Sequence, residues 1–359
     1  MRRCHLDKIA SVTARLRLSR HAVLGDEIPA EAGTVVAARV LNAKTNYNTL
    51  EDVHGRMVGL HPGDVIAGAL GHRDALYGYS GHVPAEVRPG DELNLLNLGG
   101  VIGSGACKAY GVGEPFRIEV LGSVLEFPHL DHRVGRPARV QRAALPAAPL
   151  PQRLPPIVAL VGTCMDAGKT TAASVLISDW TRREKRVAAG KLTGVSLRRD
   201  VLGMQDCGAD PVATFTDFGV VTTTAQNAVA AAHSLVAHLA ESEPDLMVLE
   251  LGDGLLGTYG VDALLADPGL AAGLSAVVLC AQDPVGALGA VDLLRERYGL
   301  RPGLICGRVT DTPVGARFCT GELGIPAWNA LVDGGQGATR ILNGLSDLAR
   351  TAAPAEASA

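Results

Sequence analysis

The residues with the clearest chemical meaning lie near the middle of the chain, in the stretch VGTCMDAGKTTAA from Val161 to Ala173. Its first glycine and the later Gly168-Lys169-Thr170 triplet are interpreted as the phosphate-binding pattern G-x-x-x-x-G-K-S/T. Glycines let a backbone wrap around phosphate, and loop amides together with a helix N-terminus stabilise its negative charge. We therefore expect a nucleotide to bind at the loop residues Gly162, Thr163, Cys164, Met165, Asp166, Ala167, Gly168, Lys169, Thr170 and Thr171.

Two side chains of this loop have specific expected roles. Lys169 should reach the β- and γ-phosphates of the nucleotide, and the Thr170 hydroxyl should ligate Mg²⁺. Cys164 is interpreted as a small loop residue and not as a nucleophile, because phosphoryl transfer depends on positioning and electrostatics. The expected cofactors are ATP and Mg²⁺. The sequence has no NKxD-type guanine signature, and the choice between ATP and GTP stays open.

The elements on both sides of the loop suit a phosphate site. IVALVG, from Ile157 to Gly162, is a continuous apolar run that fits a buried parallel strand, and an amphipathic helical pattern follows from Thr170 to Arg186. Apolar runs then alternate with helical patterns, which predicts an α/β domain with a doubly wound parallel sheet over residues 157–350. The further predicted strands are RVAAGKLTGV, DLMVLELG, SAVVLCAQ, PGLICGRV and IPAWNALV, and the last predicted helix is GATRILNGLSDLAR.

The amino-terminal part of the chain has a different pattern. Its apolar runs are short and separated by glycines, and two of them follow the turns HPGD and RPGD. This predicts a smaller β-rich domain over residues 1–143, a barrel or a sandwich, for substrate recognition or dimerisation. A proline-rich linker, 144–156, and a disordered tail, 351–359, complete the predicted organisation. The polar segment from Asn42 to Arg56 could bind a small polar ligand or form a long solvated loop.

Composition limits the possible partners. The net charge is −4, aromatic residues make up 4% of the chain, and no long basic run occurs, so nucleic acid is disfavoured. No apolar stretch approaches the ~20 residues of a membrane span, so we expect a soluble cytoplasmic protein without membrane contact. The seven cysteines include no CxxC pair, which disfavours a disulfide framework. His129 and His132 lack a third ligand for a metal site.

The loop and the strand after it carry a family resemblance. GTCMDAGKTTAA followed by VAAGKLTG resembles the dethiobiotin synthetase family and its ligase relatives, in which a GTxxxxGKT loop precedes a strand with a second lysine. The resemblance implies that Lys191 contacts the substrate and the transferred phosphoryl group, although Leu192 stands where the family has proline. It also implies a homodimer, because these synthetases form their sites near a subunit interface.

The same resemblance implies acidic Mg²⁺ ligands. One would follow the second lysine and would be Asp200 or Asp206, and Glu250 would be another, at the end of the strand in DLMVLELGDGLLG. Asp253 is either part of this site or a turn residue. These motifs span roughly residues 157–258. They also resemble a P-loop family that includes D-glutamate N-acetyltransferases.

The residues and the resemblance together favour an ATP-dependent ligase that forms an amide-type C–N bond. The γ-phosphoryl group would pass to a carboxylate or carbamate of a small metabolite or amino acid, and a nitrogen nucleophile would then displace phosphate. Lys169, Lys191 and Glu250 are the expected catalytic residues. Two alternatives remain: a nucleotide-hydrolysing switch or maturation factor that acts on a protein partner, and an N-acyltransferase acting on an amino acid.

Overall fold

The computed structural model describes residues 1–129, 131, 134–339 and 342. Two compact units are present. One, here called the barrel unit, contains residues 1–147 together with the short segments 195–199 and 214–223. The other, called the α/β unit, contains residues 148–194, 200–213 and the described residues from 224 onward. The predicted tail, most of the last predicted helix and His132 lie outside the described residues.

The barrel unit is built almost entirely from strands. They are β1 (Arg2–His5), β2 (Lys8–Ile9), β3 (His21–Gly25), β4 (Val35–Val40), β5 (Thr49–Glu51), β6 (Met57–Gly59), β7 (Val65–Leu70), β8 (Tyr79–His82), β9 (Glu92–Leu95), β10 (Val101–Lys108), β11 (Phe116–Glu126) and β12 (Arg136–Pro137). Two of these, β5 and β6, form a separate antiparallel pair.

Five of these strands close into a ring. β4 pairs with β7, β7 with β10, β10 with β9, β9 with β11, and β11 again with β4. Only the β7–β10 pair is parallel among these. Each of the five strands is paired on both sides within this ring, and side chains from each strand fill the interior. Ile66, Ile102 and Ile118 are fully buried there. The prediction of a β-rich domain is confirmed, and its form is a small closed barrel.

The two Pro-Gly-Asp turns have the same construction. In each, the aspartate carboxylate accepts a hydrogen bond of 2.7 Å from the backbone amide three residues earlier. The glycine of each turn has a positive φ, +93° at Gly63 and +95° at Gly90. Residues other than glycine adopt this conformation only at an energetic cost. The turns lead directly into β7 and β9, so this local sequence signal determined where two barrel strands begin.

The polar segment from Asn42 to Arg56 is not one long loop. It contains β5, which pairs with β6, and the last residue of that strand, Glu51, is fully buried. The expectation of a solvated loop is therefore wrong for this part of the segment, because β5 is paired with β6 and both Leu50 and Glu51 are buried.

The α/β unit alternates strands and helices. Its strands are β13 (Ile157–Gly162), β14 (Val187–Lys191), β15 (Val212–Thr214), β16 (Leu246–Glu250), β17 (Leu274–Cys280) and β18 (Leu304–Cys306). Its helices are α1 (Lys169–Arg182), α2 (Arg199–Asp206), α3 (Ala228–Ala240), α4 (Val261–Ala266), α5 (Pro268–Gly273), α6 (Pro284–Tyr298) and α7 (Pro313–Arg317). In the described part of the chain, no helix combines the length and apolarity that crossing a membrane requires.

The strands of the α/β unit form one sheet in the order β15-β14-β16-β13-β17-β18. β13 is central and pairs in parallel with β16 on one side and β17 on the other. The chain therefore builds the sheet outward in both directions from β13, which confirms the doubly wound prediction. Among the described residues, the predicted strand IPAWNALV forms a single bridge, between Ile305 and Ala327. In sheets of this type, ligands bind at the carboxyl ends of the strands where the order reverses.

The predicted linker, 144–156, contains the boundary between the two units at residues 147 and 148. Two short segments inside the range predicted for the nucleotide-binding domain, 195–199 and 214–223, belong to the barrel unit instead. Each follows or includes the carboxyl end of a strand at the β15-β14 side of the sheet. The domain boundaries predicted from the sequence placed both segments in the other domain.

Candidate functional site

The loop that the sequence predicts to bind phosphate lies between β13 and α1. β13 ends at Gly162, and α1 begins at Lys169, with Gly168 as its N-cap at φ +100°. Five residues separate the two glycines, one more than in the pattern G-x-x-x-x-G-K-S/T. Within this loop Asp166 has φ +58°, in the left-handed region that few residues other than glycine adopt. The strand, loop and helix N-terminus are the arrangement that binds phosphate.

Neighbouring strand ends hold the loop in place. The Thr163 amide donates to the Cys280 carbonyl at the end of β17 (3.0 Å), and the Leu255 amide beyond β16 donates to the Gly162 carbonyl (2.9 Å). Gly254 lies so close that a Cβ there would be 2.6 Å from the Thr163 carbonyl oxygen. The loop is thus fixed by the two strands on either side of β13.

Lys169 folds back over its own loop. Its ammonium donates to the Cys164 carbonyl at 2.9 Å, and the residue is only 5% exposed. A Cβ at Gly162 would lie 2.9 Å from the lysine Nζ, so the glycine provides the space that the lysine occupies. The result is a desolvated positive charge inside the loop, where an anion would interact with it strongly.

The Thr170 hydroxyl donates to the Glu250 carboxylate, at 3.0 and 3.2 Å to its two oxygens. Glu250 is the last residue of β16 and is 3% exposed. Burial raises the pKa of Glu250, and nearby Asp200 adds to this, whereas Lys191, Lys169 and the Thr170 hydrogen bond oppose it. A carboxyl held this way binds a cation well once it is ionised, because the cation compensates for the missing water.

Lys191 and Asp200 form an ion pair next to this carboxylate. Lys191 ends β14 and is paired in register with Glu250 across the sheet. Its ammonium contacts the carboxylate of Asp200, in the first turn of α2, and each side chain is 13% exposed. We call Lys169, Thr170, Lys191, Asp200 and Glu250 the carboxyl-edge cluster, because strand ends and helix starts at this edge of the sheet supply all five.

The other predicted acids have different surroundings. Asp206 is the last residue of α2 and is exposed. Six residues at 1.5 Å per residue separate it from Asp200 by about 9 Å along the helix. Asp253 is 8% exposed, with φ +79°. A Cβ at Gly257 would be 2.0 Å from its Oδ2, so the Asp253 carboxylate lies inside the turn that follows Glu250. Of the two predicted alternatives for the acid after Lys191, the structure brings Asp200 to the cluster.

The remaining loop residues differ in their exposure to solvent. Ala167 is buried, Thr163, Cys164 and Met165 are partly exposed, and Asp166 and Thr171 are exposed. The loop backbone is also braced from outside, because the Gln282 side chain donates to the Asp166 carbonyl at 2.9 Å.

The cluster has the residue types that Mg²⁺ requires when a nucleotide supplies further ligands. Mg²⁺ is commonly held by one or two carboxylates, waters and substrate phosphates. Thr170, Glu250 and Asp200 provide a hydroxyl and two carboxylates, and within the described residues no group of three or more His, Cys, Asp and Glu side chains forms a metal cage. The residues present therefore fit Mg²⁺ bound together with phosphate.

Two further residues shape the site without having been predicted from the sequence. Thr193 is fully buried and donates its hydroxyl to the Gly252 carbonyl at 2.8 Å, which fixes the turn after Glu250. Gly307 follows β18 at φ +93°, and a Cβ there would be 2.4 Å from the Ala167 carbonyl. The sequence feature that could have identified Thr193 and Gly307 is their position shortly after apolar strands, because sheets of this type carry functional residues at the carboxyl ends of their strands.

No model of a known protein family matches the chain, and no curated protein sequence matches it. Solved structures that resemble it in part include the 54 kDa signal recognition particle protein of Aeropyrum pernix in complex with GDP. That match has 18% identity and a TM-score of 0.36, and covers 56% of this chain and 50% of that one. Another is a duf1611 family protein of Anabaena variabilis, at 16% identity, TM-score 0.39, and 54% and 62% coverage. The signal recognition particle receptor FtsY of Elizabethkingia anophelis matches at 12% identity, TM-score 0.38, and 55% and 67% coverage. The chain therefore spans half to two thirds of the length of these proteins.

Proposed function

We propose that the protein binds a nucleoside triphosphate with Mg²⁺ at the loop between β13 and α1, and that it transfers or hydrolyses the γ-phosphoryl group. The observation that carries this proposal is the Thr170–Glu250 contact beside the buried Lys169 ammonium. A loop lysine, a hydroxyl and a strand-end carboxylate are the parts that phosphoryl transfer by such loops uses.

Each side chain has a role that follows from its position. The loop amides and the N-terminus of α1 would hold the phosphates, and the Lys169 ammonium would offset their charge. Thr170 and Glu250 would hold Mg²⁺, which when bound would neutralise charge on the phosphate oxygens. We assign no general base, because positioning and electrostatics account for most of the catalysis in this reaction class.

A more specific candidate is the ligase, in which the phosphoryl group passes to a small carboxylate or carbamate before a nitrogen nucleophile displaces it. Lys191 favours this candidate, because it brings a second ammonium to the edge of the sheet, in register with Glu250. Asp200 holds that ammonium in place. Two cations on either side of a transferring phosphoryl group would stabilise the charge that it carries.

The first experiment is to measure phosphate release from Mg²⁺-ATP and Mg²⁺-GTP by the purified protein. Each nucleotide is tested alone and with pools of small carboxylic and amino acids, and ADP and AMP are quantified separately. Release that depends on particular acids supports the ligase, and release that is indifferent to every acid supports a hydrolase or switch.

The matched variants are Lys169→Ala and Lys185→Ala, which remove a buried loop lysine and an exposed lysine just beyond α1. Lys169→Ala is expected to abolish nucleotide turnover while the unfolding temperature stays close to that of the wild type, and Lys185→Ala is expected to behave like the wild type. Unchanged nucleotide affinity and turnover in Lys169→Ala would overturn the proposal.

A further inference from the structure

Glu51 is a buried acid that the proposed mechanism does not use. It ends β5 in the barrel unit and has no exposed surface. Both of its carboxylate oxygens accept hydrogen bonds from consecutive backbone amides: Oε2 from Arg198 at 2.7 Å and Oε1 from Arg199 at 2.5 Å. Burying a carboxylate is costly unless such donors compensate for the lost water. The two amides are thus the specific partners of this side chain.

These amides lie at the start of a helix. α2 begins at Arg199, and the first amides of a helix have no acceptors within the helix itself. Glu51 accepts from them as a capping side chain does, but it comes from a strand 148 residues away. Its negative charge also interacts favourably with the positive end of the helix dipole. The position of the first turn of α2 therefore depends on Glu51.

The segment that leads into this helix is held at several more points within the barrel unit. The Asn97 side chain donates to the Ser196 carbonyl at 2.8 Å, and the Arg198 guanidinium donates to the Val53 carbonyl at 2.8 Å. Gly99 packs so closely that a Cβ there would be 2.0 Å from the Ser196 carbonyl oxygen. The backbone of residues 195–199 is therefore fixed up to the residue before Asp200.

We propose that Glu51 is a positioning residue for Asp200 and, through it, for the Lys191 ammonium. Asp200 directly follows Arg199 and pairs with Lys191 in the carboxyl-edge cluster. An error of about 1 Å in the placement of a catalytic group can cost about a hundredfold in rate, so the start of α2 must be well defined for Lys191 to act. The inference rests on the proposed phosphoryl transfer.

The test compares Glu51→Gln with Glu86→Gln. The first replaces one accepting oxygen with an NH₂ group that cannot accept the Arg198 or Arg199 amide, and the second changes a carboxylate of the same unit that is 73% exposed. Nucleotide affinity and the single-turnover rate of γ-phosphoryl transfer are measured for both. We expect Glu51→Gln to keep its nucleotide affinity within about twofold and to lose about tenfold or more in rate. Glu86→Gln should match the wild type.

A second comparison separates positioning from general damage to the fold. If Glu51 acts through Asp200, the rate of the double variant Glu51→Gln/Asp200→Asn should equal that of Asp200→Asn alone, because the same effect cannot be lost twice. Amide hydrogen exchange at the start of α2 should be faster in Glu51→Gln than in Glu86→Gln. If Glu51→Gln does not fold, Glu51→Asp, which keeps the charge but shortens the side chain, takes its place in every measurement.

Either of two results would overturn the inference alone: an unchanged transfer rate in the Glu51 variant, or rate losses that add fully in the double variant, while the wild type is active and Lys169→Ala is not. A wild-type protein that neither binds nor turns over nucleotide, with Lys169→Ala indistinguishable from it, would overturn the proposed function and this inference with it.

Discussion

Glu250 lies in surroundings that oppose its charge, although its proposed role needs that charge. Burial raises its pKa, and two ammonium groups and the Thr170 hydroxyl only partly counter this. A carboxyl with a higher pKa in the folded chain than in the unfolded chain binds more protons when folded, over the pH range between the two values. The folded protein therefore loses stability as the pH rises through that range.

This argument gives a pH-dependent prediction for Glu250→Gln. The amide cannot ionise, so in the presence of a metal chelator the variant should gain stability relative to the wild type as the pH rises from acid to neutral. Mg²⁺-dependent turnover should be lost at the same time. Urea unfolding at a series of pH values measures the difference in free energy of unfolding. A difference that is constant with pH would contradict the assigned environment of Glu250.

Lys191→Ala tests the second cation of the cluster. Lys169 and the loop amides remain, so nucleotide affinity should stay close to that of the wild type, while γ-phosphoryl transfer should fall by about a hundredfold or more, as when a transition-state donor is removed. Binding is measured by titration with a fluorescent nucleotide, and transfer by single-turnover kinetics. Lys185→Ala is the control. Unchanged product formation would remove Lys191 from the catalytic set.

At the scale of single elements, two glycines show how backbone contacts support the site. Gly254 lies after β16, where a Cβ would come 2.6 Å from the Thr163 carbonyl and 3.0 Å from the Cys164 Cα. These contacts are with backbone, which cannot move aside cheaply. Gly203 lies inside α2, and a Cβ there would have no neighbour within 4 Å. Gly254 is needed because the backbone of the loop lies so close to it, whereas no contact requires a glycine at position 203, inside a helix.

The two alanine variants should therefore have opposite effects. Gly254→Ala should push the turn away from the phosphate loop, cost about 1–3 kcal/mol in free energy of unfolding, and weaken nucleotide binding. Gly203→Ala should stabilise the protein by about 0.4–1 kcal/mol, because it reduces the freedom of the unfolded chain in a helical position. Chemical denaturation and nucleotide titration measure both effects. Equal stability of the two variants would contradict the close approach at Gly254.

At the scale of the whole molecule, the barrel unit is assembled from three separate parts of the chain. Val221, from the segment 214–223, is 2% exposed and belongs to the same hydrophobic core as the barrel strands, and Val195 packs against that core. Glu51 and Asn97 likewise have their partners in residues 195–199. The amino-terminal part of the sequence therefore lacks some of the residues that complete its own unit.

A fragment of residues 1–147 should consequently be less stable than the same unit in the intact protein. It would leave the Glu51 carboxylate without the amides of Arg198 and Arg199, and it would expose the core surface that Val221 covers. Circular dichroism during heating should show a lower or less cooperative transition for the fragment than for the intact chain. A cooperative transition at the temperature of the intact protein would contradict this dependence.

The sequence by itself determined the features that depend on neighbours along the chain. The phosphate loop, the strand before it, the helix after it and the two Pro-Gly-Asp turns follow from local side-chain patterns and from glycine φ angles. The alternation of strands and helices also indicated the doubly wound sheet, because a parallel connection requires a crossover. Lys191 and Glu250 were identified from the family resemblance, and both lie at the ends of apolar strands.

Only the tertiary structure decided the features that depend on residues far apart in the sequence. Asp200 and Asp206 lie in the same polar stretch of the sequence, and only the structure shows that Asp200 pairs with Lys191 whereas Asp206 is exposed at the end of α2. The same holds for the two segments that join the barrel unit and for the closure of its five strands. Such contacts depend on packing and on the need to pair buried polar groups. Local sequence patterns do not show which distant residue a side chain will contact.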